Sequence, residues 1–112
     1  MVPSSKSILM NYRLRFHAQA LRDWKQLDTS VREPLRRKLI ERLEQPRVPA
    51  AALRGLPNCY KIKLLSLGYR LIYRVDDEVV IVTVIAIGKR DKNKVYQVAA
   101  SRLQEPAPPP YP

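Results

Sequence analysis

One cysteine and one histidine are all that this 112-residue chain has of either. Cys59 therefore has no partner for an internal disulfide, which suits a reducing cytoplasm. Cys59 and His17 together fall short of the four ligands a structural zinc site takes, so no metal or other cofactor is expected. The longest apolar run, EVVIVTVIAIG, is strand-length and well short of the roughly 18 residues of a membrane span. The opening MVPSSKSILM lacks the apolar stretch of a secretory signal. No segment repeats. By elimination this is a cytosolic protein with no membrane partner. Acid is the most telling shortage. There are 10 Asp and Glu against 21 Lys and Arg, a formal charge of +11. Between Gln45 and Val75 no acid occurs at all, while Arg47, Arg54, Lys61, Lys63, Arg70 and Arg74 all fall there. Such an excess predicts attraction to polyanions, nucleic acid above all.

What is present fits a single domain with an ordinary 46% apolar content. Residues 1–9 read as a disordered extension, with Met10 as the natural start of a domain over 10–103. The proline-rich 104–112 reads as a flexible tail. NYRLRFH alternates like a first strand. Over 18–27, Leu21, Trp24 and Leu27 recur at near-helical spacing. A second helix over 31–44 carries the apolar stripe Val31, Leu35, Leu39 and Leu43. Ser30 and Glu33 are placed to form its capping box, Pro34 sits near its first turn, and Pro46 ends it. Strand-like runs follow at 59–66, 69–75 and 78–87, joined by short turns. A closing helix over 94–103 carries Val95, Val98, Ala99 and Leu103. The order is β-α-α-β-β-β-α, an α+β fold: a small, antiparallel-rich sheet with a helical pair on one face. The other face is expected to be uncovered and to hold the cations.

Alternation puts Lys61 and Lys63 on one side of their strand, with Cα atoms roughly 6.5 Å apart. A two-residue turn at Leu67-Gly68 pairs Leu65 with Arg70 and keeps Arg70 on the lysine side. A three-residue turn would push it into the core, where an unpaired charge is costly. The last strand ends in GKR, bringing Lys89 and Arg90, and Tyr96 follows on the first turn of the closing helix.

LRGLPNCYKIKLLSLGYRLIYRVDDEVVIVTVIAIGKRDKNKVY, with ALRDWKQLDTSVREPLRRKLIERLEQPR upstream, closely resembles the RelE branch of the RelE/ParE toxin superfamily. The likeness spans about residues 10–103 and rests on YKIKL, GYRLIY, GKR and VY in order and at matching spacing. It implies a RelE-like fold and a small ribonuclease that enters the ribosomal A site and cuts messenger there. It implies, too, a cognate RelB-like antitoxin and operator DNA contacted only through the antitoxin complex. Lys61, Lys63, Arg70, Arg90 and Tyr96 match that family's catalytic and phosphate-binding set.

Such a set suits attack by an RNA 2′-hydroxyl, because cations stabilise the negative charge that grows on the phosphoryl oxygens. Crowded cations also make it easier for a lysine to give up its proton and for a tyrosine to become tyrosinate. Lys61 and Tyr96 both remain open as the base. Arg90 suits a phosphate clamp, since guanidinium holds its proton too firmly to serve readily as an acid. With no histidine in the set, alignment of the RNA must supply much of the rate, which fits work on the 70S ribosome. Arg54, Arg74 and Lys89 are candidates for RNA backbone contact. Arg36, Arg37, Lys38 and Arg42 on the second helix are candidates for ribosomal RNA contact. Two other function classes compete: a gyrase-inhibiting toxin of the ParE branch, and a basic RNA- or ribosome-binding module without chemistry.

Overall fold

The computed structural model describes residues 11–90 and 94–104. The expected extension at 1–9 and the tail beyond Gln104 lie outside the described residues. Strand β1 (Arg13–Phe16) leads into α1 (Ala18–Gln26) and α2 (Thr29–Glu44). A short 3-10 turn (Pro49–Ala51) precedes β2 (Cys59–Leu64), β3 (Tyr69–Asp76) and β4 (Ile81–Lys89), and α3 (Lys94–Leu103) closes the fold. The sheet order is β1-β4-β3-β2, with β1 parallel to β4 and the other pairs antiparallel. The long apolar run is thus an interior strand, as its unbroken hydrophobicity predicts.

The helix starts follow local hydrogen bonding. His17 caps α1, its Nδ1 accepting from the Gln19 N–H at 3.2 Å. Asp28, not Ser30, caps α2. Its carboxylate accepts from the Ser30 N–H (3.2 Å) and the Ser30 hydroxyl (2.6 Å), so the helix begins two residues before the expected box. Pro34 then lies inside the helix rather than at its edge. The helix stops at Glu44, just ahead of Pro46.

The two faces of the sheet are covered differently. Leu35 and Leu39 of α2 and Ala20 of α1 pack on Ile62, Leu71, Tyr73, Val82 and Val84 to form the main core. Tyr60 and Tyr73 stack inside it, ring centroids 5.7 Å apart. On the opposite face, Val95 and Ala99 of α3 pack on Cys59, Ile72, Ile85 and Ala86, with Leu53 and Leu56 at the margin. The expectation of an uncovered second face is therefore corrected: α3 covers part of it with a small second core.

A bulge in β4 divides the strand between those faces. Ile72 pairs with Ala86, but Tyr73 pairs with Val84, so Ile85 has no partner on β3. Ile85 and Ala86 consequently both face α3, and every later residue of β4 changes sides. Val82 and Val84 face the helical pair, whereas Gly88 lies under Val95 of α3. The end of α3 is tied down by Arg102, which reaches the Ile85 carbonyl (2.7 Å), Gln19 (3.1 Å) and Asp23 (3.4 Å).

Candidate active site

The hairpin of β2 and β3 turns through four residues, 65–68, not two. Leu64 pairs with Tyr69 and Lys63 with Arg70. Gly68 takes φ +72°, and its N–H bonds back to the Leu64 carbonyl at 2.8 Å. Leu65 leaves the ladder and stands 74% exposed. A register shift of two residues preserves side-chain parity, so Arg70 still lies on the side of Lys61 and Lys63. Its neighbour across the sheet is Gly88. The ladder runs one step past β4, where the Arg90 N–H donates to the Gly68 carbonyl at 2.7 Å. Alternation from Gly88 then places Arg90 on the same side as Arg70. Without the bulge, Gly88 and Arg90 would face the helical pair. Tyr96 sits one residue after Val95 on the first turn of α3 and packs, half-buried, against the second core. The fold therefore puts Lys61, Lys63 and Arg70 on the α3-bearing side of the sheet, with Arg90 following the end of β4 and Tyr96 on the first turn of α3.

Arg70 is the unusual member. It is only 7% exposed, and its Nη1 is buried with no hydrogen-bond partner. Leaving a buried polar group unpaired costs roughly 1–3 kcal/mol, and a charged one such as this guanidinium more. Among the described residues, the ion pairs are Arg36–Glu33, Arg47–Asp77 and Arg102–Asp23, and none touches this cluster. Lys61 is half-buried beside it and Lys63 exposed. The result is a concentration of positive charge in which one buried guanidinium nitrogen has no acceptor among the described residues, an arrangement complementary to an anion.

The remaining candidates are spread out. Arg74 lies on the α3 side, but at the far end of β3, opposite Cys59 and Thr83. Arg54 is exposed in the loop before β2. Lys89 pairs with Tyr69 and places Nζ 6.0 Å from that ring's centroid, on the helical-pair side, away from Arg70. Arg36, Arg37 and Lys38 lie exposed on α2, and Arg36 pairs with Glu33 at 3.5 Å. Arg42 does not share that face: its Nη1 donates to the Lys61 carbonyl (3.1 Å) and to the Tyr73 hydroxyl (2.8 Å). Residue counting along α2 conceals this inward arginine, because nothing in the sequence says that the β2 edge lies within its reach. Cys59 is 1% exposed and burial pushes its thiol up to about 11, which makes it a buried packing residue and no nucleophile. Away from the cluster, Asp77 binds Arg47 at 2.8 Å and accepts from Tyr12 at 2.6 Å. Those hydrogen bonds hold its carboxyl below the ordinary range and raise Tyr12.

A small α+β domain with this strand order and a cation-lined face matches one class of protein. A family profile described as the ParE toxin of the type II toxin–antitoxin system, parDE, matches residues 14–94, and the chain belongs to that family. Within it, the chain is 53% identical over 94 residues to the mRNA interferase toxin RelE of Escherichia coli (strain K12), covering 84% of this chain and 99% of that protein. The free E. coli toxin RelE, solved as a double arginine-to-alanine mutant, superposes with a TM-score of 0.77 at 52% identity, over 83% of this chain and 98% of that one. RelE in the intact E. coli RelBE toxin–antitoxin complex gives a TM-score of 0.70 at 54% identity, over 72% and 99%.

Proposed function

We propose that this protein is the toxin of a type II toxin–antitoxin pair, a ribosome-dependent endoribonuclease that cuts messenger in the A site. The observation that carries this reading is the buried, unpartnered Arg70 guanidinium on the side of the sheet shared with Lys61, Lys63 and Arg90. A scissile phosphodiester seated there would satisfy that donor and neutralise its neighbours. The relative named mRNA interferase toxin RelE, at 53% identity, supports the same assignment.

The chemistry follows from the groups present. A base removes the 2′-hydroxyl proton, the 2′-oxygen forms a bond to phosphorus, and the bond from phosphorus to the 5′-oxygen breaks as that oxygen takes up a proton. The products are a 2′,3′-cyclic phosphate and a 5′-hydroxyl end. Lys63, Arg70 and Arg90 stabilise the charge that grows on the phosphoryl oxygens. Lys61 and Tyr96 are the two candidates to move protons. With no histidine in the set, precise alignment of the strand has to provide much of the acceleration, and the ribosome supplies it.

The partner is a RelB-like antitoxin. A protein of charge +11 calls for an acidic, amphipathic segment wrapped around it, and operator DNA is reached through that complex. The site of action is the cytoplasm. Mapping messenger 5′ ends on translating ribosomes after a pulse of expression tests the reading. Cuts in phase with codons, and poor cleavage of free RNA, are expected; equal rates on free and ribosome-bound RNA would overturn ribosome dependence. The family description favours one second reading, a ParE-type inhibitor of gyrase. Arg70→Ala separates the two: growth arrest is lost if the protein is a nuclease and persists if gyrase is the target.

A further inference from the structure

Helix α3 is ten residues long and buries only Val95 and Ala99 against the sheet. A helix that short is marginal in water without tertiary support, and Val98 on its outer side is exposed. Its far end carries a polar anchor. The Arg102 side chain is 12% exposed and bonds in three directions: Nη1 to the Ile85 carbonyl (2.7 Å), Nε to Gln19 (3.1 Å) and Nη2 to Asp23 (3.4 Å). Ile85 is the residue that the β4 bulge leaves without a partner on β3. Arg102 therefore joins three elements at one point: the bulge, α1 and α3. A planar guanidinium, with five donors spread over three nitrogens in a fixed fork, suits three separated acceptors better than an ammonium, whose donors share one nitrogen.

We infer that Arg102 is a positioning residue for Tyr96. Tyr96 stands six residues earlier on the same helix, about 9 Å along its axis. Val95 rests over Gly88 in ordinary van der Waals contact, its Cβ 3.8 Å from where a Gly88 Cβ would stand. Among the described residues, no polar contact at that end pins the helix against rotation or sliding. The fork at the other end sets its height and direction over the sheet, and with them the place where the Tyr96 hydroxyl meets the cations. This inference rests on Tyr96 belonging to the active site.

Single-turnover cleavage of messenger on programmed ribosomes, with the full chain at saturating concentration, tests it. Arg102→Ala is expected to slow the cleavage step about tenfold, as small misplacements of reacting groups do, while ribosome affinity stays unchanged. In a Tyr96→Phe background the same substitution should change the rate less than about twofold, because both changes remove one contribution. Amides of residues 95–103 should exchange faster with solvent while those of β3 stay protected. Arg102→Lys, which keeps the charge and most of the stem, should fold and give an intermediate rate, so the inference remains testable if the alanine variant proves too unstable. Unchanged cleavage in both Arg102 variants would overturn it, as would an equal loss in the parent and in the Tyr96→Phe background. If Tyr96→Phe alone leaves the rate intact, Tyr96 drops out of the site and the inference falls with it. If Tyr96→Phe is slow and the Arg102 variants are not, the site stands and only the inference fails.

Discussion

The two faces of one four-stranded sheet obey different rules. Toward the helical pair, branched aliphatics fill a continuous core, and even its polar atoms are matched: the buried Tyr73 hydroxyl donates to the Pro46 carbonyl at 2.6 Å and accepts from Arg42 at 2.8 Å. Toward α3 the core is small, built from Cys59, Ala86 and Ala99 among others, and next to it Arg70 is buried with an orphaned nitrogen. A structure that satisfies its polar groups on one side and leaves a guanidinium unpaired on the other draws its stability from the first and, on the proposed function, its chemistry from the second. On that reading, stability and chemistry lie on opposite sides of the same strands.

Substitutions that act on one side only can break that division. The largest expected effect is on the helical-pair face, where Leu35→Ala in a fully buried position should remove about 3 kcal/mol of stability. A urea titration reads the loss, and cleavage per folded molecule should not change. Arg70→Met should do the reverse. Messenger cleavage should fall about a hundredfold or more, the usual consequence of removing a transition-state donor. Stability should stay level or rise by about 1 kcal/mol, since an apolar side chain replaces an unpaired buried charge. A variant that loses activity and stability together would show that Arg70 has a structural partner after all, and the division would fail.

The smallest effect concerns the α3-side core at alkaline pH. Burial raises the Cys59 thiol to about 11, whereas an unfolded thiol titrates near 8.5. The unfolded chain therefore releases this proton first. The stability linked to Cys59 is complete below about pH 8.5 and is lost as pH rises toward the folded value. Comparing urea midpoints at pH 8 and pH 10.5 for the parent and Cys59→Ala should show a smaller decline in the variant. Equal declines would mean that water reaches this second core freely.

Much of this organisation is legible in the sequence, for identifiable reasons. The closing helix falls at Lys94–Leu103, as expected, because its apolar residues recur at helical spacing after a polar linker. Arg70 lies on the side of Lys61 and Lys63 although the turn is longer than expected, since a two-residue and a four-residue loop differ by an even shift and Gly68 supplies the positive φ in either. The start of α2 departs from its expected place because Asp28 and Ser30 are both good caps, and only the surrounding chain decides between them. Sequence groups Arg42 with its helix neighbours because its two acceptors, the Lys61 carbonyl and the Tyr73 hydroxyl, lie 19 and 31 residues away.

Local spacing and composition by themselves determined the order of elements, the excess of positive charge and the pairing of Lys61 with Lys63 on one side of a strand, because periodicity and charge are properties of neighbours in the chain. Tertiary structure decided which side Arg90 faces, where α3 settles and that Arg70 is buried. The side Arg90 faces turns on the single unpaired Ile85 in β4: a bulge reverses every later side chain, yet within an unbroken apolar run no residue marks where it will form.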